Sequence, residues 1–61
     1  MTHEKMILAV TTTNAQKVAG GAPIFTCETK EEMEGIAANL EAILDGIAHE
    51  LTEELLIIVK H

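Results

Sequence analysis

Side chains able to do chemistry are few in this chain, and their spacing is poor for it. Cys27 is the single cysteine. A nucleophilic thiol needs a base or cation to hold it as thiolate, and none stands near it in the sequence, so in a predicted strand it packs as a small hydrophobe. His3, His49 and His61 are scattered over both ends and a helix, without the i, i+4 spacing that puts two imidazoles on one metal. The carboxylates lie at a helix start or along its exposed side, where nothing raises a pKa enough to make a general acid. No catalytic residue, metal site or cofactor is expected. Lys17 before Gly20-Gly21 does not make a phosphate loop, which needs the lysine after the second glycine and directly before a helix. What remains is Thr11, Thr12, Thr13 and Asn14, a polar strand end beside the Gly20-Gly21 turn. Its hydroxyls and amides could receive a small anion at the carboxyl end of a strand, or serve only as caps and turns.

Sixty-one residues make one domain, residues 1–61, since two cores would each be too small to stand alone. Hydrophobic residues at 48% and charged ones at 23% place it among folding chains. Ten acids against four bases, net charge -6, with one phenylalanine and no tryptophan or tyrosine, exclude the basic, aromatic footprint that nucleic acid or an anionic membrane surface demands. A lone cysteine closes no intrachain disulfide, so oligomerisation is the staple left to so small a chain. Five-residue apolar runs, Met6 to Val10 and Leu55 to Val59, are too short to insert in a bilayer, which points to a cytoplasmic protein.

The expected architecture is α/β: a small three-stranded sheet in the order strand, loop or short helix, strand, long helix, strand, with the helix on one face. Lys5 to Thr12 forms the first strand, and Asn14 to Ala22 is a loop opening with a short helical turn capped by Thr13 or Asn14. Pro23 leads into a second strand, Ile24 to Cys27. Thr29-Lys30-Glu31-Glu32 has the form of a capping box, the hydroxyl accepting the third amide of the helix while Glu32 reaches back. From there Met33, Ile36, Ala37, Leu40, Ile43, Leu44, Ile47 and Leu51 recur at helical spacing on one face. A turn at Thr52-Glu53-Glu54 precedes a last strand, Leu55 to Val59, apolar at every position and so buried on both sides. Strand, helix, strand favours a right-handed crossover making the second and third strands parallel.

Two surfaces look suited to protein contact. Nine of ten acids lie from Glu28 onward, and Met6 to Cys27 carries only Lys17, the charge depletion of an interface core. With a helix on one face only, Met6, Leu8 and Val10 on the first strand and Leu56 and Ile58 on the last form an uncovered set expected to self-associate, unless the Asn14 to Ala22 segment covers it. On the back of the helix Gly35, Ala38, Ala42 and Gly46 align as a strip of small residues, with His49 near the helix C-terminus, where another helix could approach closely. Glu34, Glu41 and Asp45 flank it on one side and Glu32 and Glu50 on the other, which would steer a basic partner.

The run E-E-M-E-G-I-A-A-N-L-E-A-I-L-D-G-I-A-H-E-L, with K-V-A-G-G-A-P-I-F before it and L-I-I-V-K-H after, resembles a family of short proteins from spore-forming Firmicutes, the capping complex subunit for YIEGIA. The resemblance covers nearly the whole chain and carries no catalytic signature. It implies a small non-enzymatic subunit, linked to sporulation, that associates with a larger YIEGIA-family membrane protein at its cytoplasmic side. A structural or regulatory subunit that self-associates and docks such a partner is therefore expected. The other function the residues allow is a sensor of a small anionic ligand, held by Thr11 to Asn14 and Gly20-Gly21.

Overall fold

The computed structural model describes residues 6–61. His3 and the start of the first predicted strand lie outside them. The chain is α/β, with strand β1 (Ile7–Thr12), a 3-10 turn (Ala15–Lys17), β2 (Ile24–Thr26), helix α1 (Lys30–Leu44), β3 (Gly46–Thr52) and β4 (Leu55–Lys60). The sheet thus has four strands, not three, in the order β2-β1-β4-β3.

β1 and β2 run parallel through Val10–Ile24 and Thr12–Thr26, and β4 is antiparallel to both β1 and β3. The expected parallel pairing of the second and last strands is therefore corrected: β2 and β4 are not neighbours and point in opposite directions. Helix α1 leads from β2 at one edge to β3 at the other. β4 returns between β3 and β1 through the turn at Glu53 and Glu54, the place where the sequence marks one.

Each element has a local cause. Asn14 caps the 3-10 turn, its side chain accepting from the Gln16 amide at 3.2 Å. At the start of α1 the Thr29 hydroxyl accepts from the Glu32 amide at 3.0 Å, while the Glu32 carboxylate accepts from the Glu28 amide at 2.8 Å, one residue before the cap. The helix stops at Leu44 because Asp45 takes a left-handed conformation, φ 56°. Asp and Asn are the residues other than glycine that tolerate it best. Gly46 then passes so close to β4 that a Cβ there would lie 2.7 Å from Ile58 Cγ2 and 2.9 Å from the Val59 carbonyl oxygen.

The core lies between α1 and one face of the sheet, where Met33 and Ala37 meet Ala9, Cys27, Leu56 and Ile58, with Leu8, Ile36, Leu40 and Ala48 packed around them. Buried Cys27 has its thiol pKa raised from 9.0 by desolvation first and the negative Glu32 second. Edge strand β3 is shielded at one point: the Glu41 carboxylate accepts from the Ala48 amide at 2.7 Å. At the opposite end of the sheet the buried Thr12 hydroxyl donates to the Glu54 carbonyl at 2.6 Å and accepts from the Asn14 amide at 2.9 Å, tying β1 to the β3–β4 turn.

Candidate functional site: the open face of the sheet

Strand register decides which side chains α1 covers. Ala9 pairs with Ile58 and Ala48 with Ile58, so these lie on the helix side. Ile7 opposite Val59 opposite Ile47, and Ile24 opposite Val10 opposite Ile57 opposite His49, form two rows on the other side. Helix α1 covers none of these rows.

Only part of that face finds cover within the described residues. Val10 is 5% exposed although it points away from α1, and the hollow beside it, about 620 Å³, is lined by Val18 to Ala22 together with Ile7, Leu51, Leu55 and Ile57. The glycine loop therefore stands over the β1 half of the face. Over β3 and β4 the surface stays open as a trough of about 550 Å³ lined by Ile47, His49, Leu51, Ile57, Val59, Lys60 and His61. Leu51 is 56% exposed, Ile7 48% and Ile47 42%. These residues hold no acid, and water on clustered branched side chains is unfavourable by about 25 cal/mol per Å². The result is an apolar surface continuous over two strands.

The expected self-association set is corrected accordingly. Leu56 and Ile58 lie beneath α1, Ile58 with no exposure, and Leu8 packs against the same core. Val10 points to the open side but sits under the glycine loop, and Met6 is exposed at the start of β1. The partner strip is corrected too. Gly35, Ala38 and Ala42 do line the exposed back of α1, with nothing within 4 Å of a Cβ built at Gly35. Gly46 and His49 are not on the helix: both belong to β3, Gly46 against β4 and His49 on the open face. The acid frame fails at the same place, because Asp45 ends the helix and Glu50 is in β3, 3.9 Å from Lys30 Nζ.

At the expected anion site the Thr12 hydroxyl, the Asn14 side chain and the amides of Thr13 and Asn14 are engaged within the chain. The Thr13 amide donates to the Glu54 carbonyl, Thr12 and Asn14 bond as described, and the Thr11 hydroxyl is fully buried on the helix side without a partner. Gly20, φ 140°, and Gly21 shape the loop over the open face. Lys17 pairs with Glu54 at 2.9 Å on the surface. Among the described residues no three His, Cys, Asp or Glu side chains are placed to share a metal, and no helix is long and apolar enough to cross a membrane.

Ile7, Ile47, Leu51, Ile57 and Val59 carry the site, and the sequence reading missed them as a group. Their signal was the alternation Ile47, His49, Leu51 after Asp45-Gly46, a period of two and so a strand with one wet face.

The chain is thus an α/β fold with one helix on one side of a four-stranded sheet and the other side partly open. Residues 4–61 match the family of the capping complex subunit for YIEGIA, and the chain belongs to that family. It is 60% identical over 57 residues, 93% of this chain and 89% of the relative, to the uncharacterized protein YpzH of Bacillus subtilis (strain 168). No solved structure matches.

Proposed function

We propose that this chain is a non-enzymatic subunit that docks a larger YIEGIA-type protein through the open face of its sheet, in a structural or regulatory role. The observation that carries the proposal is the trough over β3 and β4, where large apolar side chains stand exposed and acid-free in a chain of net charge -6. The family name supplies the partner: a capping complex subunit for YIEGIA acts by assembling with it. The engaged Thr12 hydroxyl and the engaged amides of Thr13 and Asn14, with the Thr11 hydroxyl buried beneath α1, speak against the anion sensor.

Co-purification of the co-expressed partner is the test, with Leu51→Arg on the trough and Ala42→Arg on the back of α1. Both positions are exposed, so both variants keep the fold. Retention of the partner by Ala42→Arg and its loss with Leu51→Arg supports the open face. The reverse pattern moves the contact to the helix, and failure of the unsubstituted chain to retain the partner removes the proposal. Self-association is read in the same experiment from the native mass of the chain alone.

A further inference from the structure

We propose that Glu41 is an edge guard: its carboxylate takes the place of a neighbouring strand's carbonyl on the Ala48 amide and keeps β3 from pairing with β3 of a second copy of this chain. Among the described residues the sheet has two edges, β2 and β3, and they are not alike. β2 has three residues and is blunted by its shortness, whereas β3 has seven. Of the two, β3 is the edge that needs a guard.

Backbone parity fixes the point to be guarded. From Gly46 opposite Lys60 to Glu50 opposite Leu56 the pairing runs without a slip, so successive residues of β3 turn their amide and carbonyl alternately toward β4 and away from it. The Ala48 amide goes to Glu41 and not to β4, which makes Gly46, Ala48 and Glu50 the outward residues. The register shift between Glu50 and Thr52 ends this stretch. Ala48 is its centre, and an antiparallel strand that overlaps two of the three outward residues needs the Ala48 amide. That amide is the one held, at 2.7 Å. The carboxylate comes from the last turn of α1, where the Glu41 carbonyl accepts from the Asp45 amide as the helix ends.

A second copy is the strand that fits the edge once it is bare. About a two-fold axis at Ala48, Ala48 faces Ala48 of the second copy, Gly46 faces Glu50 and Ile47 faces His49. No like charges meet, the central pair is small, and Glu50 already has Lys30 beside it at 3.9 Å. Such self-complementarity is what an isologous dimer requires. Both guards must open for the pair to form, so the penalty enters twice. A guard closed about nine-tenths of the time in each copy weakens the dimer about a hundredfold.

The test is the native mass of the full chain against concentration, for the unsubstituted protein, Glu41→Ala and Glu41→Gln, at high ionic strength to screen the net charge of -6. Position 41 is half-buried on α1 and alanine is the better helix former, so the fold is kept. Glu41→Ala should dimerise with a dissociation constant about a hundredfold below that of the unsubstituted chain. Glu41→Gln loses the charge but keeps an acceptor, and should stay within about tenfold of it. Hydrogen exchange locates the contact: in Glu41→Ala the amides of Ala48 and Glu50 should exchange fast in dilute samples and slowly in concentrated ones. Equal association of all three chains would overturn the proposal. So would an equal gain in the alanine and glutamine variants, which relief of charge explains, or a gain that leaves those two amides unprotected. Docking at the open face is read on the co-expressed partner and stands or falls separately.

Discussion

Replacing Gly46 and Gly35 by alanine should move stability in opposite directions, although both glycines stand on one strip when the chain is read as a continuous helix. At Gly35 a Cβ meets nothing within 4 Å. The position is in the interior of α1 and exposed, so alanine should stabilise by about 1 kcal/mol. At Gly46 the same methyl lies 2.7 Å from Ile58 Cγ2, 2.9 Å from the Val59 carbonyl oxygen and 3.4 Å from Leu8 Cδ1. Carbon atoms rest about 3.5–4.0 Å apart, and Ile58 is fully buried. β4 cannot retreat either, because it is held between β1 and β3. Overpacking of this kind destabilises by ~2–3 kcal/mol, a large part of the ~3–9 kcal/mol expected of a chain this size. The melting temperature should fall by about 10–20 °C for Gly46→Ala and rise by about 4–8 °C for Gly35→Ala. With no tryptophan or tyrosine in the chain, far-UV circular dichroism is the probe. Stabilisation by Gly46→Ala equal to that by Gly35→Ala would put residue 46 back in a helix and refute β3.

Other consequences can be measured on the same footing. Thr11→Val should stabilise by up to about 1 kcal/mol, because it removes a buried hydroxyl without a partner, whereas Thr12→Val should destabilise by about 1–3 kcal/mol by stripping the bonds to Glu54 and Asn14; urea midpoints decide both. The raised pKa of Cys27 means that above pH 9.0 the unfolded thiol loses its proton before the folded one. Stability should therefore fall as pH rises past 9.0, and the slope should be shallower in Cys27→Ala, with unchanged slope contradicting it. Glu41→Gln keeps an oxygen acceptor for the Ala48 amide, whereas Glu41→Ala exposes that amide on an edge strand; faster hydrogen exchange at Ala48 in the alanine variant alone is expected.

Much of this fold is legible in the residues, and its failures have definite causes. β1, the cap of α1 at Thr29, the turn at Glu53 and Glu54 and the final strand follow from β-branched runs and local hydrogen bonding, which act within a few residues. Helical spacing carries α1 past its actual end at Leu44 because Ile47 and Leu51 satisfy two periods at once. Ile47 is four residues from Ile43 and Leu51 four from Ile47, as on a helix, and each is two from His49, as on a strand. Asp45-Gly46 resolves the ambiguity, as a left-handed residue followed by one with no room for a Cβ. Which face of the sheet is open was not readable for a different reason. In β4 both alternating sets are apolar, and in β1 the register slips between Ile7 and Ala9, so Leu8 and Ala9 both join the core and parity counting fails. The site depends on that slip, since it leaves Ile7 and Val10 together on the side away from the helix.

Covalent carbene footprinting of the chain, free and in complex with its partner, tests the central claim most directly. Ile43 on α1 is 74% exposed and serves as the internal reference beside Ile7, Ile47 and Leu51. Docking on the open face predicts that labelling falls severalfold at Ile47 and Leu51 while Ile43 is labelled as in the free chain. Protection of Ile43 and Ala42 with Ile47 and Leu51 unchanged would place the partner on the helix and contradict the account.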